Sequence, residues 1–226
     1  LPQLREMDIN PLIVDENGAL AVDARIVVDA APPSAADYDH LAILPYPSNY
    51  TQEWPMRGGG QYTLRPVQPD DASMLQDLVR GLSEKSRYYR FASSLRELSV
   101  PMLAKYTLID YDREMALVAV FKERKAGPDG EITETERIVG VSRYITNPDH
   151  TSCEFALVVA DDFAGKGLGS RLMHSIMDVA RDKGLTEIEG LVLANNPHML
   201  KLMRSLGFSI KPFADDPEFK VVSHTL

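Results

Sequence analysis

The sequence predicts an α/β fold in which strands and amphipathic helices alternate along 226 residues. Three observations carry that prediction. Cys153-Glu154-Phe155-Ala156-Leu157-Val158-Val159 is short, apolar and partly β-branched, the pattern of a strand. Ala164-Gly165-Lys166-Gly167-Leu168-Gly169-Ser170 follows as a glycine-dense turn. Leu172, Ile176 and Val179 then recur at helical spacing, and Met173, Met177 and Ala180 widen the apolar face. Near the start, two β-rich runs flank Asn17-Gly18, a strong hairpin signal.

Taken in order, Glu6 to Val14 and Ala19 to Ile26 are the arms of that hairpin. Residues 31–60 are rich in Pro, Ala, Ser, Gly and Tyr, the composition of a linker, with Leu41-Ala42-Ile43-Leu44 and Trp54 available to dock on a neighbouring surface. Tyr62 to Val67 is a first strand, ended by Pro69 with Asp70 or Asp71 as a cap. Met74, Leu75, Leu78, Val79 and Leu82 form a helical stripe. Ser83 caps a second helix through Tyr88, Tyr89 and Phe91, and Ser99 a third through Met102, Leu103 and Tyr106. Met115 to Phe121 reads as a buried strand, Lys122 to Glu136 as a charged loop, and Ile138 to Tyr144 as the strand that pairs back. Asn147-Pro148-Asp149 turns into the Glu154 strand. Beyond the glycine-rich turn and its helix, Glu187 to Ala194 is another strand. Asn196 then N-caps a helix, with Pro197 in its first turn and Gly207 at its C-terminus. Phe208 to Phe213 and Phe219 to Val222 supply two short final strands.

Composition narrows the functional classes. Hydrophobic content of 44% with 25% charged residues is that of an ordinary soluble globular protein, with one substantial core and room for a smaller second unit. No apolar run approaches bilayer length and the start lacks a secretory pattern, so no membrane partner is expected. One cysteine precludes an intramolecular disulfide and fits a reducing cytoplasm. A net charge of −9 argues against nucleic acid. His40, His150, His174, His198 and His224 show no metal-ligand spacing, and no metal is expected. A chain that begins at Leu1 rather than Met is expected to be a piece of a longer protein.

The glycine-rich turn has the ingredients of a phosphate site: free backbone N–H groups, the positive end of a helix dipole, and glycines that let backbone approach a ligand. No Gly-Lys-Ser/Thr occurs, which excludes a P-loop, and Gly-x-Gly-x-Gly is not the dinucleotide pattern. The turn instead resembles the pyrophosphate loop of the GNAT superfamily of N-acetyltransferases, Gln/Arg-x-x-Gly-x-Gly/Ala. Asn196 to Phe208 resembles the second GNAT signature, an Asn-capped helix closed by Leu-Gly-Phe, and the order of elements over 61–226 is the GNAT order. The resemblance implies a mixed, mostly antiparallel central sheet flanked by helices. It also implies acetyl-CoA as co-substrate. Ala164, Gly165, Lys166, Gly167, Leu168, Gly169 and Ser170 would hold its pyrophosphate, and Leu157, Val158 and Val159 its pantetheine, with Asn196 among the donor-binding residues. Two residues depart from the family pattern: Ala164 stands at the Gln/Arg position, and Met203 where many members carry a tyrosine that protonates the leaving thiolate.

Transfer to an amine also needs the amine neutral, and a free lysine titrates near about 10.4. Glu154 lies on the strand where GNAT enzymes commonly place a general base. Alternation puts Glu154, Ala156 and Val158 on one side and Cys153, Phe155 and Leu157 on the other, which leaves Cys153 as a packed small hydrophobe. Ser83 to Phe91 resembles a Ser-x-x-Ser-x-Tyr-x-Arg-Phe stretch of one branch of the family, where the acceptor groove forms. Ser83, Ser86, Tyr88 and Arg90 are the expected acceptor residues.

The N-terminal hairpin resembles the last two strands of the ATP-grasp domain in nucleoside-diphosphate-forming acyl-CoA synthetases. The expected organisation is 1–30 as the end of such a domain, 31–60 as linker and 61–226 as the GNAT domain. In that family the residues matching Asn10 and Asp23 help hold Mg²⁺; without the rest of the domain they are read as remnants. The combination resembles bacterial protein lysine acetyltransferases fused to an acyl-CoA synthetase-like region. It implies a protein substrate, the active-site lysine of an acyl-CoA synthetase, and an upstream synthetase-like domain in the same longer protein. A small-molecule amine N-acetyltransferase and a non-catalytic acyl-CoA-sensing module remain open as alternatives.

Overall fold

The computed structural model describes residues 4–16, 18–28, 44–56, 60–126 and 132–226. They form two units that divide between Leu44 and Pro45. The first holds four short strands: β1 (Leu4–Ile9), β2 (Leu12–Asp15), β3 (Gly18–Ala21) and β4 (Ala24–Val28). β2 pairs antiparallel with β3, and β1 pairs antiparallel with β4. The hairpin expected around Asn17-Gly18 is therefore two successive ladders. They are bridged where the Asn10 N–H donates to the Asp23 carbonyl at 3.2 Å and the Val22 N–H to the Pro11 carbonyl at 3.1 Å.

The second unit begins inside the segment whose composition suggested a linker. After a 3-10 turn at Ser48–Tyr50, β5 (Gln52–Pro55) pairs along β6 (Gln61–Pro66), with Trp54 opposite Tyr62. The Arg171 guanidinium lies 3.5 Å over the Trp54 ring. An edge strand needs hydrogen bonds on one side only, so it can form where the sequence shows no apolar alternation. A second 3-10 turn, Pro69–Asp71, leads into α1 (Ala72–Gly81). The Asp71 carboxylate accepts from the Gln68 N–H at 2.7 Å and from both terminal nitrogens of Arg65 at 2.6 and 2.7 Å, so it ties the turn to β6 rather than capping α1. The serine caps are as expected. Ser83 Oγ accepts the Ser86 N–H at 3.2 Å before α2 (Glu84–Phe91), and Ser99 Oγ the Met102 N–H at 3.4 Å before α3 (Val100–Thr107).

β7 (Glu114–Ala126) and β8 (Ile132–Thr146) form one long hairpin. This corrects the expected charged loop over 122–136. Lys122 pairs with Glu136 and Ala126 with Ile132, and a Lys122–Glu136 ion pair spans 3.3 Å. A ladder started in the core can continue past it through backbone hydrogen bonds, without an apolar pattern in the sequence. Next come β9 (Ser152–Val159), a 3-10 turn at Asp161–Phe163, α4 (Leu168–Asp182), β10 (Glu187–Leu193), α5 (Pro197–Ser205), β11 (Ser209–Pro212) and β12 (Phe219–Thr225).

The eight strands of this unit lie in the order β11-β12-β10-β9-β8-β7-β6-β5, antiparallel throughout except between β9 and β10. Alternation along β7 builds a core on each face. Met115, Leu117 and Ala119 join Leu172, Met173, Ile176 and Met203 under α4 and α5, while Ala116, Val118 and Val120 join Leu75, Leu78 and Val79 under α1. α4 packs so closely that a Cβ on Gly140 of β8 would lie 2.8 Å from the Leu172 side chain. Among the described residues no helix is long and apolar enough to cross a membrane.

Candidate active site

The parallel ladder between β9 and β10 joins only Ser152–Glu154 to Glu187–Glu189. Beyond it the strands part. Residues 154–159 of β9 form one wall of a cleft of about 390 Å³, with Leu191 and Val192 of β10 on the opposite side. The β9 edge left without a strand partner presents backbone donors and acceptors that an extended ligand can pair with, as an added strand would.

At the end of this edge the chain turns through Asp161–Phe163 into the glycine-rich loop. Gly165 and Gly167 take φ of 75° and 87°, left-handed values that suit glycine, and Gly167 is the N-cap of α4. Among the described residues the N–H groups of 165–170 donate to no backbone carbonyl. They stand at the positive end of a 15-residue helix, an arrangement that fits a phosphate anion. Ala164, Gly165 and Gly169 line the cleft together with Leu157, Val158, Val159 and Asn196. Lys166, Gly167, Leu168 and Ser170 do not: Leu168 is buried, and the Lys166 ammonium lies 4.7 Å over the Phe163 ring. Asn196 caps α5 by accepting the Met199 N–H at 3.1 Å. Met203 is fully buried on α5.

Glu154 is exposed in the cleft wall, on the face it shares with Ala156 and Val158, with Ile145 of β8 and Glu189 of β10 beside it in register. Cys153 points into the core, where burial, with the charges of Glu189 and Asp149, pushes its thiol up to about 12. Arg90 reaches the cleft from α2. Burial pulls its guanidinium below the ordinary value, Tyr106 and Glu154 oppose that, and Arg143 reinforces it. Arg143 itself is buried, paired with Glu114 at 2.5 Å and stacked 4.7 Å from the Tyr106 ring.

α2 bridges the two walls. On the β9 side, the Asp161 carboxylate accepts the Ser83 N–H at 2.6 Å and the Ser86 hydroxyl at 2.5 Å. On the β10 side, the Tyr89 hydroxyl donates to the Asn195 carbonyl at 2.8 Å. Ser86, Tyr89 and Arg90 therefore line the cleft, whereas Ser83 and Tyr88 face a separate groove outside it. Sequence reading missed Tyr89, Asp161, Phe163, His198, Met199 and Leu202. Helical period alone could have found Tyr89, because positions 86, 89 and 90 share one face and Tyr88 does not. Nothing local marks Asp161.

Comparison with known proteins identifies the family. The acetyltransferase (GNAT) family model matches residues 90–208, and an ATP-grasp domain model matches residues 1–28. The chain is 34% identical over 158 residues to an acetyltransferase of Pseudomonas aeruginosa, covering 70% of this chain and 80% of that protein. It is 29% identical over 153 residues to acetyltransferase Pat of Mycolicibacterium smegmatis, covering 67% of this chain but only 42% of Pat. The crystal structure of the GNAT domain of S. lividans PAT superposes with a TM-score of 0.69 at 25% identity, covering 80% of this chain and 100% of that domain. The chain belongs to the GNAT family of acetyltransferases, enzymes whose acyl donor is acetyl-CoA.

Proposed function

We propose that the protein transfers an acetyl group from acetyl-CoA to a lysine ε-amine of a protein, the active-site lysine of an acyl-CoA synthetase, with Glu154 as general base. One observation carries this reading: a single cleft joins the Glu154 carboxylate, the free β9 edge and the glycine loop at the N-terminus of α4. Backbone N–H groups of the loop bind the coenzyme A pyrophosphate, and Leu157 to Val159 pair with the pantetheine. The neutral amine attacks the thioester carbon and its proton passes to Glu154. The C–N bond forms as the C–S bond breaks, and the thiolate, of pKa about 8.5, departs. The Leu157 N–H donates to the developing oxyanion, a contact worth about 3 kcal/mol in such sites.

The synthetase target rests on the N-terminal unit, whose residues 1–28 match an ATP-grasp domain. Residues 1–30 are read as the end of an upstream synthetase-like domain, 31–60 as the connecting segment and 61–226 as the catalytic domain, working in the cytoplasm. Incubation with acetyl-CoA and a panel of acyl-CoA synthetases, followed by mass-spectrometric mapping of acetyl-lysine, tests the reading. The expected result is one modified active-site lysine and a silenced synthetase. Rapid acetylation of small amines with unmodified synthetases would establish a small-molecule enzyme instead. Binding of acetyl-CoA with no CoA released to any acceptor would establish a sensing module.

A further inference from the structure

The side of α2 turned away from the cleft, with the turn that follows it, forms a second groove of about 860 Å³. Lys85, Arg87 and Arg96 line it, against the single carboxylate of Glu84, in a chain whose net charge is −9. Arg87 is partly committed, donating to the Leu82 carbonyl. Lys85 and Arg96 have no carboxylate partner among the described residues. Tyr88 and the hydroxyls of Ser83, Ser93 and Ser94 add polar contacts along the same wall.

We propose that this groove docks an acidic, extended segment of the acceptor protein beside its target lysine; the inference rests on the protein-acceptor reading above. α2 is held to both walls of the cleft, so its outer face is a fixed platform. Only the thickness of that helix, about 10 Å with side chains, separates groove from cleft. Extended chain advances about 3.3 Å per residue, so carboxylates seated on Lys85 and Arg96 belong about three to five positions from the lysine that enters the cleft. Carboxylate recognition by a guanidinium and an ammonium suits an aspartate- or glutamate-bearing segment. Exposure makes the attraction salt-sensitive.

Two peptides test the proposal, each with one lysine, one carrying aspartates at those positions and the other lysine-free basic residues. The protein should prefer the acidic peptide roughly tenfold in kcat/KM, through KM, and the preference should shrink at high salt. The double substitution Lys85→Glu with Arg96→Glu should reverse the preference toward the basic peptide and leave the KM for acetyl-CoA unchanged, an outcome that misfolding cannot produce. Equal use of both peptides, or an acidic preference that survives the double substitution, would overturn the docking proposal alone. If no peptide lysine is acetylated while a small amine is, the protein-acceptor reading falls, and the groove's role with it.

Discussion

Glu154→Gln isolates the proposed chemistry. The Glu154 side chain is exposed and makes no hydrogen bond or ion pair among the described residues, so the near-isosteric change should shift stability by less than about 0.5 kcal/mol. The loss in rate follows from the amine. With a pKa of about 10.4, a lysine near neutral pH is neutral only about one part in a thousand. As the neutral amine attacks, a carboxylate in the cleft wall takes the proton it sheds; without it that proton must pass to water. A positioned general base contributes about 10²–10⁴-fold, so turnover should fall about a thousandfold, equal to about 4 kcal/mol of transition-state stabilisation. CoA release followed against pH is the assay, with calorimetry of acetyl-CoA binding as control. Both rates should climb with pH as the neutral amine fraction grows, and the gap between them should persist while Glu154 is ionised. A variant that keeps more than a tenth of its turnover at neutral pH would refute the assignment. So would a loss of acetyl-CoA affinity matching the loss of rate.

Asp161→Asn should loosen α2 by about 1 kcal/mol after allowance for its exposure, raising the acceptor KM and speeding amide exchange over 83–91. Partial burial pushes the Asp161 carboxyl up, but the Ser86 and Ser83 hydrogen bonds prevail and hold it below its ordinary value. That anchor is thus complete above about pH 4 and is lost as pH falls through the lowered folded value; amide exchange showing release at neutral pH would contradict it. Gly167→Val places a β-branched residue at a φ of 87° and should cost about 1–3 kcal/mol of local strain. It should weaken acetyl-CoA binding at least severalfold by calorimetry with the circular dichroism spectrum retained. Glu114→Gln removes the anion from Arg143, which is 6% exposed and whose Nε already lacks a partner. Leaving that guanidinium unpaired should cost about 3–5 kcal/mol and lower the Tm by several degrees, and an unchanged melting curve would show that the pair contributes nothing.

Local features were legible wherever a few neighbouring residues suffice to specify them. Ser83, Ser99 and Asn196 cap their helices through N–H groups three residues ahead, and Gly207 takes a φ of 81° just past α5. Which residues of β9 share a face followed from alternation alone. Two stretches of the sheet were not legible. β5 is a mostly exposed edge strand and the outer half of the β7–β8 hairpin carries no apolar period, so neighbouring ladders extend where the sequence announces nothing. The acceptor side was read only in part, because α2 presents Ser86, Tyr89 and Arg90 to the cleft and turns Ser83 and Tyr88 away.

By itself, then, the sequence determined the type and order of the elements, the glycine loop at a helix N-terminus, and the strand that carries Glu154. These depend on torsional preferences, caps and apolar periods that act within a few residues. Only the tertiary structure decided that β9 and β10 part after Glu154 and Glu189, and so where the cleft opens. It also decided that α2 closes over it, through Asp161 to Ser86 across 75 residues and Tyr89 to Asn195 across 106. Such contacts arise from the packing of the whole sheet and its helices. No short run of residues encodes them.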